Sequence, residues 1–547
     1  MKKPSNTFIL VLFLLGIFMG AIDSGIVSPA REIIENGFGI DRTIGIWMIT
    51  IYTLSYTISM LIVSKLSDRY GHKVVYTLSI AVFGLGSLLC GLTNFYGSFS
   101  LFLTARVIQA IGAGGIMPIA NTVIGLSFPK EKRGMALGLV GAVYGVATII
   151  GPTLGSAILN FAGTTHWGFI FFINVPISIA ILLLSIKMEN TKLSTVKPMD
   201  IRGSIVIAAV IGSFLYALTN LNFFHFIDSM RDVNVYPYLL VFAFLIPVLI
   251  WVERRAKDPV LNLKYFKNRQ MLVTFILAFI TGIGMMGMIF VPQFAENVLK
   301  IKAGTGGYLI TFLAAFSGIS APLSGKLLDT KGTRFVMTMG FAFTILGTLY
   351  LGYVATIYMN FINIFIGLAF MGFGVGFTLG APLNYLVLQT VPETEAATGL
   401  ATMSLIRSMG ATLSPGLLIG FVVNSAKDLQ PNLNSVLAQG GMKMPTSVGG
   451  NATIGKQFEA LQNADVTTIV DQLKAILKQF LPPQALDGIE KMRLSIENVF
   501  QSTMNTGYMH MFTVVAVIAM MGLIATFLLK EKRDVEAEPV INTLKRS

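Results

Sequence analysis

The chain has 547 residues, 54% hydrophobic and only 12% charged, with a formal net charge of +13 and a mean hydropathy of +0.72. Soluble domains carry roughly 25% charged residues, so most of this chain lacks a water-facing surface and leaves no room for a large soluble enzyme. The single cysteine, Cys90, lies in an apolar run, which excludes an intrachain disulfide and a cysteine-based metal site; four scattered histidines add no metal cluster.

Apolar stretches long enough to cross a ~30 Å hydrocarbon core are predicted near 6–28, 44–64, 74–94, 99–126, 134–160, 167–187, 201–221, 236–252, 271–293, 305–327, 335–355, 358–388, 398–424 and 508–530. Met1-Lys2-Lys3 ahead of the first run resembles a signal peptide. The run has no clear small-x-small cleavage site and Asp23 and another span follow it, so an uncleaved first transmembrane helix is the expectation. Fourteen spans put both termini on one side. With the termini inside, about 26 Lys and Arg fall on cytoplasmic segments, against five on the short outer loops (Arg31, Arg42, Arg231, Lys300, Lys302), the bias expected of a positive-inside orientation. The basic balance thus reports topology rather than a nucleic-acid partner.

A charged turn occurs twice. Lys65, Asp68-Arg69-Tyr70-Gly71 and His72-Lys73 follow span 2, and Gly325-Lys326-Leu327-Leu328-Asp329-Thr330-Lys331-Gly332-Thr333-Arg334 follows span 10. In each half a glycine-rich stretch (Gly112-Ala113-Gly114-Gly115; Gly372-Phe373-Gly374-Val375-Gly376) then precedes a span proline, Pro118 or Pro382, and a loop proline, Pro129 or Pro392. These glycines lie inside spans rather than between a strand and a helix, which indicates close helix packing and not a dinucleotide fingerprint. Spans 1–6 and 9–14 therefore read as homologous bundles, the arrangement secondary transporters use for alternating access. The expected fold is an all-α polytopic membrane protein. It has two pseudo-symmetric six-helix bundles (1–190 and 269–547), a two-helix linker (191–268) and an extracytoplasmic insert (425–507) between spans 13 and 14. Helical spacing over 456–480 and 484–501 predicts a small cap without the residues of a catalytic domain; Asn451-Ala452-Thr453 is a glycosylation sequon of the kind common by chance.

An ionisable residue inside a span is a functional candidate, because its charge must be partnered or hydrated. Asp23 is the only acid well inside a predicted span, on the order of 9 Å below the outer end of span 1, and Arg106 lies roughly 12 Å from the outer end of span 4. At matched depth the two are expected to pair for proton coupling, in a position facing a central cavity. The alternatives are a carboxylate solvated at a helix end and an arginine that bonds neighbouring carbonyls. For Arg407, roughly 14 Å into span 13, packing and function are both open. Asp68, Arg69, Gly71, Lys73, Asp329 and Gly332 are read as gate elements. Their acids would meet the positive end of a neighbouring helix and their basic cluster would bridge the halves; the plainer reading is that they fix topology. Gly151, Pro152 and Gly155 would bend span 5 and allow tight packing. Trp47, Tyr52, Tyr56, Met117, Tyr144, Asn384, Tyr385 and Arg407 are candidates to line a substrate cavity, the aromatic and thioether groups offering adaptable apolar contact.

The order of these motifs resembles the major facilitator superfamily and, within it, the fourteen-span drug:proton antiporters. The carriers are Lys65 to Lys73 (with Ser64 where the family has glycine), Arg106-Val107-Ile108-Gln109-Ala110-Ile111-Gly112, and Gly151-Pro152-Thr153-Leu154-Gly155-Ser156. Ile22-Asp23-Ser24-Gly25-Ile26-Val27-Ser28-Pro29, Phe172-Ile173-Asn174-Val175-Pro176 and Arg407-Ser408-Met409-Gly410 add to them. The resemblance implies a proton-coupled antiporter of the multidrug efflux and antibiotic resistance type, exporting lipophilic small molecules across a bacterial cytoplasmic membrane. It implies a monomer that needs no cofactor beyond the proton gradient, and it places the partner of the first charged turn at the start of span 13. Thr50 and an acid-free span 13 depart from relatives that take dicationic drugs. An exporter or flippase of an endogenous lipid or envelope precursor is the alternative on the same fold. A non-transporting membrane sensor fits the two matched halves poorly.

Overall fold

A computed structural model describes residues 5–27, 30–40, 42–45, 47–189, 200–221, 223–301, 307–439, 466, 468–478 and 488–529. Helices account for every regular element among them. The long ones are α1 Asn6–Ile26, α2 Trp47–Tyr70, α3 His72–Tyr96, α4 Phe99–Ser127, α5 Lys130–Ala162, α6 Asn174–Ser185, α7 Ile201–Asn220, α8 Tyr236–Arg255, α9 Arg269–Met286, α10 Gly307–Leu349, α11 Phe361–Leu379, α12 Pro382–Thr390, α13 Ala396–Ala426 and α14 Arg493–Thr526. Eleven helical stretches are long and apolar enough to cross a membrane, with shorter apolar helices at Phe169–Ser185 and Arg269–Met285. One of the eleven, Leu309–Ala355, has 47 residues; at 1.5 Å per residue it would measure about 70 Å, more than two membrane cores. It turns at Gly332, whose φ of 84° and ψ of 169° are not helical. Counted as two, it makes the inventory consistent with fourteen crossings.

Two boundaries differ from expectation. The span predicted near 358–388 is α11 and α12, divided at Gly380 and Ala381. The span predicted near 508–530 begins at Arg493, so the last part of the predicted insert 425–507 is the start of α14. Polar side chains there (Gln501, Asn505) are buried and bonded to α9's continuation, Val291–Leu299, which hydropathy alone does not reveal. Within the insert, Leu429–Gln439 and Ile469–Leu477 are helical. They place Leu433, Leu437, Leu473 and Leu477 in one apolar core with Ile496 and Phe500 of α14. Asn451, 456–465, 467, 479–480 and 484–487 lie outside the described residues, as do Ser28 and Pro29.

Duplication is visible in the backbone. Gly71 has φ 98° and Gly332 φ 84°, a region that L side chains rarely enter, so both charged turns reverse the chain on a glycine. The glycines in the spans mark the closest helix crossings. A Cβ on Gly86 of α3 would fall 2.4 Å from the Gln109 nitrogen of α4, and one on Gly112 would fall 2.3 Å from that of Phe83. The second half repeats this pairing: a Cβ on Gly347 would lie 2.5 Å from the Met371 nitrogen, and one on Gly374 2.6 Å from the Thr344 nitrogen. Without a hydrophobic drive between helices in lipid, such backbone proximity supplies the packing. The inserted hairpin, α7 and α8, packs Ile207, Ile211, Leu215 and Leu249 in a cluster with Met60 and Leu61 of α2 and with Ala401 and Leu405 of α13. It therefore touches both halves.

Gly112→Val is expected to drive α3 and α4 apart. Overpacking of this kind typically costs about 1–3 kcal/mol, and the loss should appear as a lower melting temperature of the purified protein in detergent, relative to Gly20→Ala, whose added Cβ meets nothing within 4 Å.

Candidate functional site

Asp23 is fully buried and Arg106 is 3% exposed, both bonded among helices of the first bundle. Arg106 Nη1 comes within 3.5 Å of Asp23 Oδ2, so the expected pair is present but long. The shorter bonds come from amides. Gln109 Nε2 and Asn174 Nδ2 each donate to Asp23 Oδ1 at 2.8 Å. Gln109 Oε1 in turn accepts from Arg106 Nη1 at 2.6 Å, and Ser87 Oγ accepts from both amides, at 2.6 and 3.3 Å. Arg106 is held further by the Met48 carbonyl, 3.4 Å from Nε, and by the Tyr52 ring, whose centroid is 4.0 Å from the guanidinium carbon. A buried carboxylate is costly unless partnered and hydrogen-bonded; here α4 and α6 bring partners to the acid of α1, with Ser87 of α3 holding their amides. Neither the solvated carboxylate nor an arginine bonding carbonyls alone describes this geometry. Gln109 and Asn174 stood within quoted motifs but went unassigned. Gln109's position three residues after Arg106, on the same helix face, was the available signal.

The charged turns meet helix starts in the opposite half. Asp68 accepts from the Ala397 and Thr398 amides at 3.1 and 2.8 Å and from the Thr398 hydroxyl at 2.6 Å. Asp329 accepts from the Gly134 and Met135 amides at 2.8 and 2.9 Å, near the start of α5. A carboxylate placed among such N–H groups gains charge-assisted bonds and the favourable end of the helix dipole. The α5–α10 approach is tight beside this contact and loosens away from it. Added Cβ atoms at Gly138 and Gly141 would meet α10's Ala321 carbonyl and Gly380 at 2.7 Å, whereas one at Gly145 would find its nearest neighbour at 3.8 Å.

The basic cluster does not bridge the halves as expected. Arg69 Nε and Nη1 have no hydrogen-bond partner among the described residues, and its guanidinium lies over its neighbour Tyr70. Lys73 donates to the Ile186 and Met188 carbonyls just past α6, in its own bundle. Lys65 reaches Asp258, beyond the inserted hairpin, at 2.6 Å. From the same segment Asn262 Nδ2 and the Tyr265 hydroxyl donate to Glu395, beside the start of α13, at 2.9 and 2.6 Å. Nothing in the sequence pairs a loop acid with a lysine 193 residues away.

Gly151 and Pro152 of α5 press on α1 next to Asp23. A Cβ on Gly151 would lie 2.9 Å from the Ile22 carbonyl, and one on Gly25 3.0 Å from Pro152 Cδ. Gly155 is also buried, and α5 continues through this region as one helix. The cavity candidates divide. Tyr52 lies parallel to Tyr56, ring centroids 6.4 Å apart, and Tyr56 and Tyr144 lie within electrostatic reach of Arg407 across the bundle interface. Trp47 does not share this position: it is 37% exposed and stacks on Tyr216 of the inserted hairpin. Asn384 is buried and donates weakly to the Gly380 carbonyl at 3.5 Å; Met117 and Tyr385 are half-buried.

The Major Facilitator Superfamily model matches residues 13–415. The chain is 33% identical over 529 residues to the uncharacterized MFS-type transporter YfiU of Bacillus subtilis (strain 168), covering 96% of this chain and 97% of that protein. It is 30% identical to multidrug resistance protein 3 of the same organism, covering 91% and 92% respectively. Among solved structures, the E. coli fucose:proton symporter FucP superposes with a TM-score of 0.53 at 13% identity over 78% of this chain and 94% of that one, a likeness of fold alone. Matched over most of its length, the chain belongs to the major facilitator superfamily and is a multi-span membrane transporter rather than an enzyme.

Proposed function

We propose that this transporter is a proton-coupled antiporter exporting amphipathic and lipophilic compounds from a bacterial cell by alternating access. The observation that carries the reading is Asp23, a carboxylate sealed in the membrane interior with an arginine 3.5 Å away and neutral amides between. Two effects oppose each other on such a group: desolvation favours the neutral acid, and the surrounding donors favour the anion. Proton arrival would remove the negative charge and leave Arg106 to its Tyr52 and Gln109 contacts. α5 would carry the change, since it touches α1 at Gly151 and holds Asp329 about 25 Å away, near its start. Each proton moving inward supplies about 2.3 kcal/mol per 100 mV of membrane potential. The positive-inside bias assigns the clamped face and both termini to the cytoplasm. The 30% identity to a multidrug resistance protein supports the substrate class. The lipid or envelope-precursor alternative draws support from the insert helices packed on α14. Transbilayer movement of a fluorescent lipid in proteoliposomes, without dye transport, would favour it.

In everted vesicles Asp23→Asn is expected to abolish uptake of Nile red driven by a pH gradient, with Asp23→Glu retaining part of it. Wild-type uptake by Asp23→Asn would remove Asp23 from the coupling.

Asp68→Asn and Asp329→Asn should each weaken a clamp by about 1.5 kcal/mol, the lower range for a hydrogen bond to a charged group. Thiol labelling of Ala321→Cys from the clamped side, in a Cys90→Ser background, should then rise roughly tenfold for either variant and further for the double variant. Unchanged labelling would mean that the carboxylates do not hold this face shut.

A further inference from the structure

Two arginines lie well inside the spans, and they are treated differently. Arg106 has Asp23. Arg407, half-buried on α13, has no carboxylate within 4 Å among the described residues; its guanidinium Nη2 meets Met403 Sδ at 3.3 Å, one turn back on its own helix. The helices around it offer no acid at that depth. Neither α13 nor α9 contains an Asp or Glu. The acid of α2, Asp68, is committed to the start of α13, about 16 Å along the axis from Arg407, and that of α5, Glu131, lies in its first turn. The backbone behind Arg407 is closed: a Cβ on Gly282 of α9 would fall 2.1 Å from its carbonyl oxygen. Its electrostatic neighbours are Tyr144 and Tyr56, both from the opposite half.

An arginine cannot shed its proton at any accessible pH, so this position carries a fixed positive charge in apolar and aromatic surroundings. A bare guanidinium there is stabilised by an anion that can take its planar fork, as carboxylates and phosphates do with two parallel bonds. A cation in the same place would be repelled across a medium of low dielectric. Tyr52, parallel to Tyr56, and Ile406, next to Arg407 on α13, are partly buried and offer apolar surface for a hydrocarbon tail. We propose that Arg407 is the headgroup site for amphipathic organic anions, the acid headgroup meeting its guanidinium at the interface between the halves while the tail lies along Tyr56, Tyr144 and their apolar neighbours. The assignment rests on the export reading and narrows its substrate class: cargo that is anionic rather than cationic.

The test uses the full chain purified in dodecyl maltoside and the fluorescent probe 11-(dansylamino)undecanoate, compared with its methyl ester, with energy transfer from tryptophan as the signal. The acid should bind wild type roughly tenfold more tightly than the ester. Arg407→Gln should erase that advantage, and Arg407→Lys, which keeps the charge but not the fork, should retain part of it. Displacement by dodecanoate and by dodecyl phosphate distinguishes a carboxylate from a phosphate headgroup; dodecyltrimethylammonium should displace neither probe efficiently. Equal binding of acid and ester by wild type overturns the proposal whether or not the glutamine variant folds, as does an undiminished preference in Arg407→Gln. Preference for the acid in a protein that shows no pH-driven dye uptake would sink the export reading alone. Uptake without acid preference would sink the anion site alone.

Discussion

The organisation of this protein depends on two carboxylates, each seated on backbone N–H groups near the start of a helix in the other half. Asp68 caps α13 and Asp329 caps the first turns of α5. The first turn of a helix has amides with no partner of their own, and in a membrane protein those groups must find acceptors or water. Donating two of them, those of Ala397 and Thr398, to Asp68 satisfies them and joins the halves at once, while Asp329 takes the Gly134 and Met135 amides one turn further into α5. The bonds are short and charge-assisted, yet each clamp is only a few bonds, so the face is held without being locked. Gly71 and Gly332 allow it, because each acid needs an immediate chain reversal beside it.

The second dependency is local to the first bundle. Asp23 is tolerated in the interior because Gln109 and Asn174 bring neutral donors and Arg106 brings charge at longer range. A direct, bidentate arginine contact would hold the acid ionised more firmly. Here the Gln109 amide is interposed instead, donating to Asp23 and accepting from Arg106. The Gly25–Gly151 crossing then ties this polar cluster to α5, the helix that receives Asp329.

Much of this was legible beforehand for a physical reason: spans, turns and duplication are written in local composition and spacing. The reversal at Gly332 and the glycine crossings followed from repeated patterns of that sort, whereas the seat of Asp68 at the start of α13 came from the family resemblance. What was not legible depends on partners distant in the chain. Gln109 and Asn174 look like ordinary polar residues in membrane helices until three helices converge on Asp23. Arg69 and Lys73 carry the charge expected of a bridge, but neither crosses to the other half. The stacking of Trp47 on Tyr216 is set by where the hairpin docks, and hydropathy does not say which face of a span meets a neighbour. The early start of α14 was hidden because its first turns mix buried apolar Ile496 and Phe500 with polar and charged residues such as Arg493, Glu497, Gln501 and Asn505.

That hairpin has a mechanical consequence. Its exit segment is fastened at Asp258 to Lys65 of the first half and, a few residues on, through Asn262 and Tyr265 to Glu395 of the second. The pair of helices added to the duplicated plan is thereby strapped to both halves at once, and any widening of this face would pull on its exit segment.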